Sequence, residues 1–267
     1  MTDSSTLNLP LGIALTSDMQ LGLKPSAPKS RSYRISLPPI NKSVFAPGDM
    51  MIFEIPTNRR GTWLDQSQSY IKFSVQCAST AACATGGSGI YLDNSAYSFI
   101  QKSDVYNSSQ LLETCNEYGQ LANFLIDTSL TASDKAGLSP LIGTNYVNST
   151  ATSINAYAPS ALNTSLQYAG DRSGQSLASV AVANGIGTAI PYVFTLPILS
   201  GIIGVNASKM LPIGKIQGAP IRCEFTLSQN DDAIYYGTAG AGAVWQIVGA
   251  EMELCFVEIQ DDALDLQ

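Results

Sequence analysis

The side chains that could carry out chemistry are few in this chain, and they form no recognisable reactive set. Among its 267 residues there is no histidine, which excludes Ser-His-Asp and Cys-His catalysis and every metal site that needs an imidazole ligand. Adjacent carboxylates occur only as Asp231-Asp232 and Asp261-Asp262, and neither has the spacing of a calcium loop. A solvated turn is the simpler explanation of Asp231-Asp232, and catalysis or a cation held between subunits is the alternative. We predict no cofactor and no enzymatic activity.

Two further candidate groups are a pair of arginines and the cysteines. Arg59-Arg60 lies beside a predicted turn; a solvated turn is the simpler explanation, and an anion site is the alternative. The five cysteines are scattered with no C-x-x-C pair, and three of them lie inside strand patterns where cysteine acts as a small buried hydrophobe. We therefore predict free thiols and assembly in a reducing compartment; the cysteines are Cys77, Cys83, Cys115, Cys223 and Cys255.

The composition favours a protein that associates with itself. Charged residues make up 13% of the chain and the net charge is −7, whereas about 25% charged residues is usual. A soluble monomer normally has a more charged surface, so a polar but uncharged surface suits a protein covered by its own copies. A Ser/Thr-rich secreted β protein is the alternative. The chain shows no apolar run of 18 residues and no basic signal-peptide start, so we expect neither a transmembrane helix nor secretion.

Most of the chain has strand patterns. In residues 69–77, Ile71, Phe73, Val75 and Cys77 alternate with polar residues, as expected for a strand with one buried face. In residues 244–259 the predicted buried positions are Ala250, Met252, Leu254 and Phe256, with a bulge or a change of contact surface expected after them. The predicted strands are 32–37, 50–55, 69–77, 97–107, 110–113, 188–198, 210–216, 219–229 and 244–259.

One helix is predicted between these strands. Thr114 and Glu117 have the spacing of a capping box, and Gly119 inside the helix costs about 1 kcal/mol relative to alanine. Residues 132–138 are predicted to add a further helical turn, and 139–186 to be a surface excursion. An apolar stripe with helical spacing comprises Leu111, Cys115, Tyr118, Leu121, Ala122, Leu125 and Ile126.

The order of these elements predicts an all-β fold. Strands do not alternate with helices, so a parallel sheet is not expected. We predict an antiparallel jelly-roll (Greek-key) β-sandwich of about eight strands with one inserted helix and long loops. The predicted organisation is an extended N-terminal arm (1–31), a jelly-roll domain (32–260) with an insertion at about 139–186, and an acidic C-terminal tail (261–267).

Several segments, taken in order, resemble one family. IFEIP (52–56), WLDQSQSYIKFSVQ (63–76), SAYSFIQKSDVYNSSQLLETCNEYGQLANFLID (95–127) and TLPILSGIIG…KMLPIGKIQGAPIRCEFTL (195–227) are similar to the jelly-roll capsid proteins of icosahedral viruses, and in particular to a jelly-roll domain of the double-jelly-roll lineage. The sequence departs from that lineage because about eight strands make one jelly roll, whereas two need about sixteen. Two interpretations therefore stay open. The chain is either a single-jelly-roll capsid protein with a long insertion or one half of a longer product.

The resemblance implies a structural capsid protein that self-associates into capsomers and an icosahedral shell. Its partners would be copies of itself and other capsid subunits, and its location would be the virion. The alternative is a receptor- or glycan-binding spike or lectin-like module, with Tyr146, Tyr157 and Tyr168 as the contact residues. An enzyme built on a sandwich is the third hypothesis, and it lacks a general base that titrates near neutrality.

Opposite charges near the two ends of the chain are the predicted intersubunit contacts. Residues 24–42 hold five basic side chains and no acid, and residues 251–267 hold six acids and no base. Each exposed pair would contribute about 0–1 kcal/mol. One alternative is that both ends are simply solvated, and another is that the basic segment 24–42 faces the genome or an inner membrane. The candidate contact residues are Lys24, Lys29, Arg31, Arg34, Glu253, Glu258, Asp261 and Asp262.

Overall fold

The computed structural model describes residues 30–57, 59–82, 90–144, 173–204, 209–216, 220–236 and 242–259. Most of this part of the chain is strand, as predicted. The strands are β1 (Ser30–Leu37), β2 (Val44–Phe45), β3 (Met50–Ile55), β4 (Thr62–Ser79), β5 (Ile90–Asp93), β6 (Ile100–Asn107), β7 (Gln110–Asn116), β8 (Ser173–Leu177), β9 (Val180–Ala181), β10 (Tyr192–Pro197), β11 (Ile221–Leu227), β12 (Ile234–Tyr236) and β13 (Val244–Ile259). The helices are α1 (Tyr118–Ser129), α2 (Ala132–Ile142) and the four-residue α3 (Asn230–Ala233).

Two four-stranded antiparallel sheets carry the architecture. The first has the order β1-β13-β4-β10, with β2 added to β13 and β9 added to β4. The second has the order β3-β11-β6-β7. We number these eight main strands from one to eight along the chain. The first sheet then has the order 1-8-3-6, and the second sheet has the order 2-7-4-5. This crossing order is that of a jelly roll, so the predicted fold class is confirmed.

The core lies between the two sheets. Phe53 and Phe225 of the second sheet are fully buried, and their ring centroids are 6.1 Å apart in an edge-to-face arrangement. Trp245 on β13 packs edge-on against Phe99, with centroids 4.8 Å apart. Large side chains buried in this way contribute on the order of 1.5–3 kcal/mol each relative to exposure, and this burial is what holds the sheets together.

The alternation in residues 69–77 is confirmed and extends further than predicted. Ile71, Phe73 and Val75 are buried, but β4 begins at Thr62 rather than at the predicted residue 69, so it also includes the preceding WLDQSQ segment (63–68). That segment sits at a register shift against β13, where Asp65 accepts hydrogen bonds from the Ser67 amide and hydroxyl. A bulge of this kind lets a strand bend without ending.

The last strand matches its predicted limits. Met252, Leu254 and Phe256 are buried, as is Ala250. The predicted bulge after Phe256 is wrong in position, because the register against β4 shifts earlier, between Val248 and Glu251 and between Glu253 and Cys255. Gly249 in the first shift has a φ of +60°, a backbone conformation that glycine adopts without the penalty of a Cβ.

The predicted excursion at 139–186 contains regular structure at its two ends. Helix α2 continues to Ile142, and β8 pairs with β5 in a small third sheet of order β12-β5-β8. The middle of the excursion, 145–172, lies outside the described residues. So do Tyr146, Tyr157 and Tyr168, the residues of the glycan-binding alternative.

The helical region differs from the prediction at its start. Thr114 belongs to β7, where its hydroxyl donates to Asp104 of the neighbouring strand at 2.5 Å. Helix α1 therefore begins only at Tyr118, after Glu117 in a left-handed conformation with no side-chain cap. The capping box is instead at the start of α2, between Thr131 and Asp134. The predicted extra turn at 132–138 is thus confirmed as part of a second full helix.

Candidate functional site

The inner face of α1 fixes the helix on the sandwich. Tyr118, Ala122 and Ile126 are buried at helical spacing. At the first turn, a Cβ on Gly119 would lie 2.5 Å from the Tyr97 carbonyl oxygen. Only glycine permits so close a backbone approach, which explains why the helix tolerates the lower propensity of this residue.

Polar contacts add to this attachment. The buried Asn123 accepts a hydrogen bond from the Ser95 hydroxyl at 2.5 Å and donates to the Asp93 carbonyl at 3.1 Å. On the flank of the helix, Asp127 accepts from Asn94 at 3.1 Å and from Lys135 of α2 at 2.6 Å. Because buried polar groups cost free energy unless they are paired, these bonds define one orientation of the helix.

Within the part of the chain that the structure describes, the outer face of α1 is apolar and exposed. We call Leu121, Phe124 and Leu125 the α1 stripe; their exposed fractions are 45%, 63% and 38%. Residues three and four apart are neighbours on a helix surface, so the three side chains form one continuous patch. Large exposed apolar patches are uncommon on soluble monomers, and they mark surfaces that contact other proteins, membranes or ligands.

The strand that leads into α1 is also exposed and apolar. Leu111 and Leu112 of β7 are exposed by 46% and 41%. Strand β7 is the last strand of its sheet, and the register against β6 shifts at Val105 and Tyr106, which leaves Leu112 as an extra residue. Edge strands of soluble monomers are normally protected by charge or by a covering element, so this edge adds to the surface available for association.

Glu113 ties this region to the other sheet. Its carboxylate accepts hydrogen bonds from the Ser200 hydroxyl at 2.6 Å and from the amides of Gly201 and Ile202 at 3.0 and 3.3 Å. These three residues follow β10, so one side chain of β7 organises the connection that leaves the first sheet. Hydrogen bonds to a charged acceptor are stronger than neutral ones.

Two tyrosines also connect this region to the end of β10 and the segment that follows it. The Tyr97 hydroxyl donates to the Pro197 carbonyl at 2.7 Å, and the Leu199 amide donates to the Tyr118 hydroxyl at 2.8 Å. Burial raises the pKa of both phenols above the usual value, so both stay neutral at physiological pH. The α1 stripe is therefore presented by a well-anchored element.

The predicted charged contacts fall into two groups. Arg31 and Glu258 lie opposite each other on β1 and β13 and form an ion pair at 2.7 Å within the chain. Arg34 donates to Gln68 at 3.1 Å and stacks on the Tyr70 ring. Glu253 lies across from Ser36 and Tyr70. Lys24, Lys29, Asp261 and Asp262 lie outside the described residues, so their role as intersubunit contacts stays a prediction.

No cluster of three or more histidine, cysteine, aspartate or glutamate side chains is present in the described part of the chain. Asp231 and Asp232 lie exposed in α3. The predicted free thiols are confirmed for Cys77, Cys115, Cys223 and Cys255, and Cys83 lies outside the described part. Burial raises the pKa of the Cys77 thiol to about 12 and also raises that of Cys223, the opposite of a nucleophile.

Sequence reasoning missed the α1 stripe. It placed Leu121 and Leu125 on the buried side and left Phe124 out. A signal was present, because apolar side chains occupy two sides of this helix. A helix with only one buried face needs apolar side chains on that face alone.

Among the described helices, none has the length and apolar character to cross a bilayer.

Fold and surface together define the class: a jelly-roll protein with an uncovered apolar helix. No known family model matches the sequence, and no curated protein matches it. Solved structures of similar fold include the capsid of the virus PBCV-1, with a TM-score of 0.53, 11% identity, 90% of this chain and 45% of that chain covered. For the Faustovirus major capsid protein the TM-score is 0.50 and the sequence identity is 11%. That match covers 96% of this chain and 58% of the Faustovirus chain.

These matches show that the fold of this chain is similar to that of solved capsid proteins. At 11% identity the likeness is one of fold. This chain spans about half the length of the two solved capsid proteins, as expected where one jelly roll is compared with chains that are longer.

Proposed function

We propose that this protein is a structural capsid subunit that associates with copies of itself into capsomers and a closed shell. The observation that carries the proposal is the α1 stripe, which consists of three exposed apolar side chains on a helix that is firmly anchored from its other face. A surface of this kind gains free energy when another protein covers it. The low charge of the chain and the fold shared with two capsid structures point the same way.

The partner we favour for the α1 stripe is a second copy of this chain. The low proportion of charged residues suits a surface that is covered by copies of the same chain. Other capsid subunits are the further partners. The virion is the proposed location, and the free buried thiols suit assembly in a reducing compartment.

The proposal assigns no catalytic role to the chain, and it leaves the basic segment 24–42 as a candidate contact with the genome or an inner membrane. Within that segment, Arg31 and Lys42 already pair with acids of the same chain. If the segment held nucleic acid, retention would fall steeply with salt concentration, since each phosphate contact releases counterions.

The test is a double substitution in the α1 stripe, Leu121→Ser with Phe124→Ser. Covering one large apolar side chain is worth about 1.5–3 kcal/mol, so losing two weakens the contact by roughly 100-fold or more. Sedimentation velocity across a range of concentrations would show wild-type oligomers and a dispersed variant, and electron microscopy would show closed shells or capsomers only for the wild type.

The matched control is Val182→Ser with Ile190→Ser. These side chains are exposed by 53% and 68% but lie on the connection before β10, away from α1 in sequence. The control is expected to assemble as the wild type does. A wild-type chain that stays dispersed at high concentration would contradict the proposed function, and an α1 variant that assembles normally would contradict the role of the stripe.

A further inference from the structure

Strand β7 is an edge of the second sheet, and the backbone on its outer side is open. In an antiparallel pair, alternate residues turn both their N–H and their C=O groups away from the partner strand. Strand β7 pairs with β6 on one side. Among the described residues, no backbone group outside β6 hydrogen-bonds to the backbone of residues 110–116. The free edge therefore offers a row of donors and acceptors that fits an extended peptide backbone.

Two other sheet edges are closed by the chain itself. On β3, the Ile40 amide donates to the Ile52 carbonyl oxygen at 2.9 Å. The Asn41 side chain donates to the Met50 carbonyl oxygen at 2.6 Å and accepts from the Ile52 amide at 3.3 Å, so it occupies the place of a further strand. On β10, Pro197 has no N–H to offer and helix α2 packs against the strand. Strand β7 has no closure of this kind among the described residues.

Charge separates β7 from the remaining edge and indicates what can pair with it. The edge strand β1 carries Arg31 and Arg34, and cationic side chains are a usual protection of an edge. Strand β7 has a single charge, Glu113, whose carboxylate already accepts hydrogen bonds from the Ser200 hydroxyl and the Gly201 amide of its own chain. A second copy of β7 therefore brings no uncompensated like charge to the edge.

Two leucines make this edge apolar as well as open. Leu111 and Leu112 are exposed by 46% and 41%. Leu112 has no register partner on β6, because the pairing shifts at this point. An open edge with exposed apolar side chains and no free charge is the combination that favours pairing with another strand. The α1 stripe follows directly, since α1 begins two residues after β7 ends.

We infer that β7 pairs with β7 of a second copy of this chain, antiparallel and across a two-fold axis, so that two four-stranded sheets become continuous. A two-fold contact uses the same surface on both copies, and it needs no second docking surface. When the pairing is centred near the middle of this seven-residue strand, the Leu112 side chains of the two copies lie close together. This pairing rests on the proposed self-association but uses a contact separate from the α1 stripe.

The test measures hydrogen exchange of the full chain by mass spectrometry, in dilute and in concentrated protein. Contacts between side chains alone leave the outward amides of β7 open, whereas strand pairing protects them. Where about nine tenths of the chain is paired, the outward amides of residues 110–116 should exchange about tenfold more slowly than in the dispersed subunit. Equally fast exchange in associated protein would overturn the inference. So would slow exchange in the dispersed subunit, because the same chain would then cover its own edge.

Two variants of opposite charge test the two-fold relation. Leu112→Lys and Leu112→Glu each bring like charges together across the axis, so each should need about a tenfold higher concentration for the same protection. Both variants should fold, since Leu112 is exposed and lacks a partner on β6. An equal mixture of the two should recover most of the protection, because opposite charges then meet. A mixture as weakly protected as either variant alone would contradict pairing across a two-fold axis.

The matched controls are Val193→Lys and Val193→Glu, at a position exposed by 50% on the edge strand β10. Neither should change the exchange of residues 110–116. Sedimentation velocity on the same samples separates this inference from the proposed function. Large assemblies without slowed exchange in β7 would overturn the inference alone, and protected dimers that never form a shell would uphold it against the proposed function. A chain that stays dispersed at high concentration would overturn both.

Discussion

Helix α1 has two apolar faces that meet different surroundings. The inner face places Tyr118 and Ala122 in the core, almost fully buried, whereas the outer face leaves Phe124 exposed by 63%. The residue types are similar on both sides. The difference teaches that apolar character alone does not say whether a side chain serves the fold of one molecule or the contact between two.

From this comparison we expect substitutions on the two faces to show their effects in different assays. Substitutions on the inner face should lower the free energy of unfolding, because they open cavities or break buried hydrogen bonds. Substitutions on the outer face should leave the isolated subunit stable and act on association. Three predictions test this separation, beginning with the largest expected effect.

Tyr118→Ala tests the inner face directly. It removes a fully buried ring and the acceptor of the Leu199 amide, so the free energy of unfolding should fall by about 3–5 kcal/mol. Urea denaturation of the dispersed subunit measures this loss. Tyr118→Phe, which keeps the ring and loses only the hydroxyl, should lose about 1 kcal/mol. Equal losses in both variants would show that the ring is not packed as described.

Glu113→Gln tests the attachment of this region to the connection after β10. The amide keeps the size of the side chain but loses the charge that accepts three hydrogen bonds, so we expect a loss of about 1.5–3 kcal/mol. Limited proteolysis should also become faster within residues 199–204. Leu112→Gln on the same strand, at an exposed position, is the control and should leave cleavage there unchanged.

The double substitution Leu121→Ser with Phe124→Ser should have the smallest effect on stability. Both side chains are solvent-exposed in the subunit, so the free energy of unfolding should change by no more than about 0.5 kcal/mol for each site. The same denaturation experiment, run on dispersed protein, measures it. A loss as large as that of Tyr118→Ala would abolish the distinction between the two faces, and the assembly defect would then reflect misfolding.

The strands were largely predictable. Residues 50–55 and 244–259 have the limits that the alternation indicates, because a period of two places every second side chain in the core once one face is buried. Gln76 shows where the rule stops. Alternation places Gln76 on the solvent-facing side of β4, yet its side chain is buried. The connection before β10 covers it, and its amide donates to the carbonyl oxygens of Gly187 and Ala189.

The helix boundary was not predictable from spacing. Thr114 and Glu117 fit a capping box, but Thr114 is held in β7 by its pairing with Asp104 of β6. Pairing with β6, the preceding strand of the same hairpin, outweighs a helix cap, which is worth about 1 kcal/mol. The sequence of α2 shows the converse, because no strand competes there and Thr131 caps the helix.

By itself, the sequence determined the all-β class, the free thiols and the lack of a histidine-based site, because these follow from periodicity and residue type. The tertiary structure alone decided which apolar face of α1 is left exposed, what Glu113 holds, and that the free edge of β7 carries two exposed leucines. Such features depend on residues far apart in the chain, and a local pattern contains no information on which distant element will pack against it.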